Sequence, residues 1–448
     1  MNKRYLIIGN GAAGVSAAEV IRQRDAAATI TILTDEPHLM YSRPGIAYVL
    51  LGQVPPEQII SRRASFYQEH RFDLRFGRVE SLDTSRQQAC LTGGSVLTYD
   101  VLLLATGASA TSAPFTNNQL EGIVTFDKLD DTQHILNLTR KARAAVIVGG
   151  GITAMELAEG IVRQKVKTHF LQRGERLWPR LLNQQESDII EEQIHHEGIH
   201  LHYKAEIAEA IGKKGKVVGV KLKSGQELPC DIIGVAIGVK PNLELTKGTP
   251  IEVKQGVLVN QHLQSNIATV FAAGDAAQVY DRWTQSHQLD ILWPSAIAEG
   301  RTAGHNMVDV AHGRAPSYPY QKGAPFNAAM LFGIHMTVIG QISDNQDSDA
   351  LQEAMHLSRG ASFIWTAPFG TTVYSAWDKN GPNSMRVALD RGRIIGALIL
   401  GNQELADPLR YLIEHEVDVS AYQDAIIRSG RDLPQLLTRL WRETATRR

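Results

Sequence analysis

The sequence predicts an α/β protein with two Rossmann-like dinucleotide-binding units and a C-terminal α+β domain. Three observations carry this expectation. Gly9-Asn10-Gly11-Ala12-Ala13-Gly14 follows the apolar run Tyr5-Leu6-Ile7-Ile8. Gly149-Gly150-Gly151-Ile152-Thr153-Ala154 follows Ala145-Val146-Ile147-Val148. Beyond Pro316 and Pro319 the pattern changes to alternating strands, such as residues 335–339 and 386–389, with helices after them. One G-x-G-x-x-G run is weak evidence. Two, each between an apolar strand and an alanine-rich helix, predict two nucleotides in one protein, with electrons passing from one to the other.

Each glycine has a separate task. The first permits a tight strand-to-helix turn, the second lets backbone approach a pyrophosphate, and the third lets helix and strand pack closely. Phosphates then meet free N–H groups at a helix N-terminus. Residues 5–8, 12–24 and 29–34 read as strand, helix and strand. Asp35-Glu36 ends the second strand, about 20 residues past the fingerprint, where an acid can bind a ribose 2′-hydroxyl. Asp35 is preferred to Glu36. Residues 101–107 read as a buried strand ending in the small turn Ala105-Thr106-Gly107. The second unit runs from about residue 144 and closes at Gly238-Val239-Lys240-Pro241-Asn242. Residues 270–275 form another buried strand, ending in Gly274-Asp275. The expected division is 1–113 and 243–318 for the first nucleotide domain, 114–242 for the second, and 319–448 for the C-terminal domain.

Composition removes several classes of function. With 448 residues, a formal net charge of −1 and 21% charged residues, the chain has no general attraction for nucleic acid or anionic membrane. Cys90 and Cys230 are its two cysteines, which excludes a disulfide framework and suits a reducing cytosol. No stretch has the roughly 18 apolar residues of a spanning helix. Lys3 and Arg4 before an apolar run imitate a signal peptide, but the fingerprint inside that run favours a first Rossmann strand. A cytoplasmic protein without a leader is expected.

These segments, in this order, resemble the pyridine nucleotide–disulfide oxidoreductase superfamily over nearly the whole length. The resemblance implies that Gly9, Gly11, Ala12, Ala13 and Gly14 form the FAD pyrophosphate site. Ala105-Thr106-Gly107 is similar to the second FAD motif. Gly274-Asp275 is similar to the third, where the aspartate binds the ribityl chain. Trp293-Pro294-Ser295-Ala296 resembles the helix start that faces the flavin pyrimidine. Val79 is a further implied FAD contact. Gly149, Gly151, Ile152, Thr153 and Ala154, with Gly238, correspond to the NADH or NADPH site, and Glu156 to the glutamate beside the nicotinamide. Tyr41-Ser42-Arg43-Pro44 matches the Tyr-x-Arg-Pro signature of the ferredoxin-reductase branch. There Arg43 lies over the FAD phosphates. The glycine-rich segments at 323–340 and 392–401 resemble the C-terminal domain of the ferredoxin, rubredoxin and nitrite reductase flavoproteins.

The subfamily follows from a departure. Residues 41–50 lack the redox cysteines that disulfide reductases place against the flavin. Cys90 and Cys230 read as structural, so electrons must leave from the flavin itself. Tyr48 stands where the branch has a lysine that pairs with the glutamate at Glu156. It either hydrogen-bonds Glu156, covers the flavin, or simply packs. Ala154 replaces the third glycine of the second fingerprint. Gln172 stands where an NAD-specific site has an acid, and Arg173 and Arg176 are candidates for a 2′-phosphate. NADPH is therefore expected to serve at least comparably to NADH.

His195, His196, His200 and His202 surround a Gly-Ile turn, without a carboxylate or cysteine at a spacing that closes a tetrahedral set. No metal site is expected. The basic amphipathic tail from residue 433 either packs on its own domain, meets a second subunit in a homodimer, or lies on a membrane. The leading reading is an FAD-dependent NAD(P)H oxidoreductase that passes electrons to a small protein, a partner subunit or a small molecule. The competing reading is an FAD-binding subunit or signalling flavoprotein with weak turnover.

Overall fold

A computed structural model describes residues 2–342, 372–378 and 383–445. Part of the expected C-terminal domain, residues 343–371, and the end of the tail, residues 446–448, lie outside the described residues. Three sheets organise the molecule. The first is parallel and places Val270–Ala272, Val101–Leu104, Arg4–Ile8, Thr29–Thr34 and Phe72–Phe76 side by side. Its central strands are apolar on both faces because helices or other layers cover both, as parallel sheets require. The chain returns to this sheet at Val270–Ala272 after building the second sheet.

The second sheet is also parallel, in the order His200–His202, Lys167–Leu171, Ala144–Val148, Ile232–Val235, Ile123–Thr125. Two short strands, Ala108–Ala110 and Val239–Pro241, pair antiparallel where the chain leaves and re-enters the first layer. Asn242 locks this crossing. Its amide donates to the carbonyl of Thr106 at 2.9 Å, and its Oδ1 accepts from Ser109 at 2.8 Å. The third sheet is antiparallel and is made of Phe326–Leu331, Ile334–Gly340, Arg393–Leu400, Asn383–Asp390 and Thr372–Asp378. Helix Ala406–Glu414 and the tail helix Leu433–Ala445 cover it, burying Leu433, Leu437 and Leu440 with Leu409 and Ile399. The apolar stripe of the tail is thus spent inside its own layer. No helix among the described residues is long and apolar enough to cross a membrane.

Helix Ala12–Arg24 and helix Trp293–Ala311 pack with their backbones in close contact. A Cβ at Gly300 would collide with the carbonyl oxygen of Ala13. One at Gly304 would stand 2.7 Å from the carbonyl oxygen of Ala17. The two small residues, four apart on one face, let the backbones touch. A methyl at Gly300 must push the helices apart. We predict that Gly300→Ala lowers stability by about 1–3 kcal/mol, the usual range for overpacking. Urea titration of the flavin-loaded protein measures this; an unchanged midpoint contradicts it.

Candidate functional site

The first fingerprint is a backbone knot. Gly9 adopts φ 121°, and a Cβ there would overlap the carbonyl oxygen of Ala105. Gly14 packs on the carbonyl of Gly9 in the same way. Gly11 differs: nothing lies within 4 Å of where its Cβ would stand. It is the N-cap of helix Ala12–Arg24, and no side chain caps that helix. The N–H groups of its first turn therefore face an open cradle suited to an anion. The Ala105 N–H is tied to Ile8 at 2.9 Å, and the Thr106 hydroxyl donates to the carbonyl of Asn242 at 2.8 Å. Gly107 has φ 67°. Val79 is buried in the core of this layer.

The two acids at the end of Thr29–Thr34 go different ways. The Asp35 side chain is 53% exposed, with Arg78 4.0 Å away. Glu36 turns inward and accepts from the Tyr41 hydroxyl at 2.7 Å and from Arg43. Lys128 Nζ is 3.7 Å from the same carboxylate. The geometry favours Glu36 as the inward acid, against the preference for Asp35 read from spacing. Arg43 also donates to the carbonyl of Asp127 at 3.0 Å and lies within electrostatic reach of Asp275. Pro44 is the N-cap of helix Gly45–Leu50.

Asp275 sits in the turn Gly274–Ala276, directly after Val270–Ala272. Gly274 has φ 72°, and a Cβ there would lie 3.1 Å from the Ala13 methyl. Its N–H donates at 2.7 Å to Glu299, a fully buried carboxyl. Burial and then Asp290 push the Glu299 acid well above the usual carboxylate range. Helix Trp293–Ala311 begins beside this turn, with Pro294 in its first turn and Ala296 close to Gly274. Ser295 donates to Asp290 at 2.9 Å. Lys322 holds Asp281 at 2.7 Å and Asp290 at 3.2 Å in the buried layer below. Burial works against the Lys322 ammonium, but the two aspartates more than offset it.

The second fingerprint repeats the knot. A Cβ at Gly149, φ 151°, would overlap the carbonyl oxygen of Ala236. Gly151 is the N-cap of helix Ile152–Arg163, again without a capping side chain. Ile152 and Thr153 are half-buried at the mouth, and Ala154 is fully buried behind them. Gly238, φ 108°, leads into the crossing strands. Gln172 is buried and donates to the carbonyl of Gly149 at 2.7 Å, so its amide props the turn itself. Arg173 is exposed. Arg176, expected near a 2′-phosphate, instead donates to the carbonyls of Leu182 and Pro179 and, at 3.1 Å, to Ser187. Its charge is committed to the loop after the strand.

Tyr48 and Glu156 lie on adjoining helices. Leu50 lodges where a side chain at Gly160 would stand, which seats Gly45–Leu50 on Ile152–Arg163. Tyr48 is 41% exposed beside this contact, and Glu156 is half-buried. Sequence reasoning missed Glu299 and Glu159. Glu159 is buried and accepts from the Phe332 N–H of the third sheet at 3.0 Å. Both lie inside apolar helix faces, where a lone acid gives no motif.

The two glycine turns are built on separate parallel sheets, the arrangement of a flavoprotein of the two-dinucleotide kind. The family model described as "Pyridine nucleotide-disulphide oxidoreductase" matches residues 3–289, and the chain belongs to that family. It is an FAD-dependent NAD(P)H oxidoreductase. It is 29% identical over 342 residues to the NADH-dependent phenylglyoxylate dehydrogenase subunit epsilon of Aromatoleum evansii, covering 75% of this chain and 79% of the relative. It is 27% identical over 344 residues to the 3-phenylpropionate/cinnamic acid dioxygenase ferredoxin–NAD(+) reductase component of Photorhabdus laumondii, covering 76% and 85%. Two longer relatives are spanned over 44% and 60% of their length. Among solved structures, a ferredoxin reductase from Rhodopseudomonas palustris superposes with a TM-score of 0.81 at 22% identity. That match covers 97% of this chain and 100% of the other.

Histidines mark the far edge of the second sheet. His169 Nδ1 and His202 Nε2 are 2.9 Å apart, and the His200 ring stacks on His169 at 5.1 Å between centroids. His195 and His196 stay apart, in the last turn of helix Gln184–His196. His169 is pushed down to about 4 by burial, and then by His202, Lys167 and His200. Its folded value lies below its unfolded value, near 6.5. The unfolded chain therefore binds the proton first, and stability falls as pH drops from about 6.5 through about 4. We predict that His169→Leu removes part of this slope. Thermal melts from pH 7 to 4 check it: parallel curves for both proteins contradict the assignment.

Proposed function

We propose that this chain carries electrons from NAD(P)H through FAD to a protein acceptor, without a redox-active disulfide. A bound flavin and nicotinamide would supply the hydride and electron-transfer chemistry. The chain supplies binding and orientation. Gly11, Ala12 and Ala13 offer N–H groups to the FAD pyrophosphate, and Glu36 accepts from the adenosine ribose. Asp275 holds the ribityl chain. The start of helix Trp293–Ala311 presents its positive dipole end to the flavin pyrimidine. Gly151, Ile152 and Thr153 cradle the second pyrophosphate. Residues 1–113 and 243–318 form the FAD domain, 114–242 the nucleotide domain, and 319–448 the third.

One observation carries this reading: two separate parallel sheets each carry a glycine turn at a helix start that no side chain caps, and the cysteines belong to neither turn. Cys90 sits in strand Gln88–Leu91 of a small antiparallel sheet. Cys230 is buried in the second layer, where burial and then Asp231 push its thiol up to about 12. A thiol so disfavoured as thiolate is a poor relay. The relative named as a ferredoxin–NAD(+) reductase component supports a small redox protein as acceptor. The relative named as a dehydrogenase subunit supports a second reading, in which the acceptor or donor is a partner subunit.

Replacing Cys90 by serine and Cys230 by alanine should leave flavin reduction and reoxidation within about tenfold, or 1.4 kcal/mol of barrier. A larger loss with the flavin retained overturns the direct route. Tyr48 tests the nicotinamide pocket. A cation at position 48 would offset carboxylate charge at Glu156 that opposes negative charge on the reduced ring. Tyr48→Lys should therefore speed flavin reduction in stopped flow. Slower reduction with FAD fully bound means that Tyr48 packs and that Glu156 is neutralised by another group.

A further inference from the structure

Trp178 packs only in part against the core of the second layer, yet it is held firmly. It lies in the loop between strand Lys167–Leu171 and helix Gln184–His196. Its backbone takes φ 42°, a left-handed value that costs free energy for a bulky residue and persists only where surroundings impose it. Its indole N–H donates to the carbonyl of Gly150, the middle glycine of the second fingerprint. The ring itself is only half-buried.

The loop around it is anchored on both sides. Leu177 and Leu182 are fully buried. Arg176 bonds three oxygens of residues 179–187. From the third sheet, Arg386 donates to the carbonyl of Leu181 and grips Glu186 through two 3.0 Å bonds. That ion pair is buried, at 3% and 0% side-chain exposure. Glu186 also accepts from the Asn183 N–H at 2.8 Å, closing the capping box of its helix. A loop pinned in this way is a wall rather than a swinging lid.

We infer that Trp178 is a fixed aromatic wall for the adenine end of the nicotinamide nucleotide, and that Arg386 positions it from the third sheet. The inference rests on the second fingerprint holding that nucleotide, as proposed above. The reasoning is geometric. The end of the strand before Gln172 and the turn at Gly149–Gly151 are where a fingerprint of this kind receives the adenosine half. A ring with its N–H already tied to the turn keeps a face for stacking, and an aromatic platform is sequence-tolerant toward bases. Preorganisation lowers the ordering cost of binding. The two halves of the substrate are thus read by different parts of the chain: the nicotinamide near Tyr48 and Glu156, the adenine at Trp178.

The test separates the halves. ADP-ribose, which carries the adenine and lacks the nicotinamide, is titrated calorimetrically into the flavin-loaded protein. Trp178→Ala should weaken its binding about tenfold or more, and Trp178→Phe by no more than about threefold. In parallel, the ratio of kcat/KM for NADH to that for reduced nicotinamide mononucleotide should fall about tenfold in Trp178→Ala. Equal losses for the two nucleotides, or an unchanged affinity for ADP-ribose, overturn the wall. If the alanine variant does not fold, Trp178→Leu against Trp178→Phe decides: equal affinities overturn it. Arg386→Lys should weaken ADP-ribose binding in the wild-type background and add nothing to Trp178→Leu; additive losses overturn the positioning role. A wild type whose flavin neither nucleotide reduces counts against the proposed function, while ADP-ribose binding still judges the wall.

Discussion

Three stretches of chain far apart in sequence meet backbone to backbone, Gly9 against Ala105 and Ala13 against Gly300. No side chain fits between them. This contact sets the axis of helix Ala12–Arg24 against its strand, and the axis of helix Trp293–Ala311 against the first helix. It also brings Gly274 to within reach of the Ala13 methyl, so the turn bearing Asp275 stands beside the cradle at Gly11. Close approach is favourable here because it replaces water by dense packing at little side-chain entropy cost. It leaves no tolerance, since a single methyl has nowhere to go. The second layer uses the same device at Gly149 on Ala236. There the third glycine is not needed, because the Ala154 methyl fills the space beside Gly149.

Buried polar contacts then attach the third sheet to the other two. Lys322 joins Asp281 and Asp290 beneath the start of helix Trp293–Ala311. Arg386 joins Glu186 and the loop before it. The Phe332 N–H joins Glu159. Such pairs add little net stability, because desolvation offsets most of the Coulombic gain. Breaking one partner costs much more, so they act against misplacement. An apolar sheet face can slide on its neighbour; a buried guanidinium that must find one carboxylate cannot. These contacts make the third sheet a brace for the other two layers as well as a layer of its own.

The fold was legible because periodicity and glycine placement are local. The helix expected over residues 12–24 is Ala12–Arg24, and the strand at 29–34 is Thr29–Thr34. The alternating pattern beyond residue 319 is the antiparallel sheet. Side-chain direction was less legible. Asp35 and Glu36 are neighbours with the same chemistry; Tyr41, Arg43 and Lys128 single out Glu36, and Lys128 is 92 residues away. Gln172 occupies the acid position, but its direction depends on the carbonyl of Gly149. Arg176 is drawn off by carbonyls of a loop whose conformation no pattern announces. His169 was overlooked beside His200 and His202 because parallel pairing, not sequence proximity, makes them neighbours.

The position of Tyr48 follows from these constraints in a way that motif reading alone does not explain. Helix Gly45–Leu50 belongs by chain order to the first layer, and its N-cap follows Arg43, which answers to Glu36 and Asp127. By packing it belongs to the second layer, because Leu50 occupies the notch at Gly160 and its carbonyl accepts from Gln164 at 3.2 Å. One six-residue helix is therefore fixed at one end by the first layer and at the other by the second. A side chain on its open face, such as Tyr48, stands between the layers whatever its chemistry. On the reading proposed above, a cation there would screen Glu156, whereas a phenol leaves that carboxylate to its other partners. Because Leu50 and Gln164 fix the helix, an exchange at Tyr48 would change charge at this position while the two nucleotide cradles keep their shape.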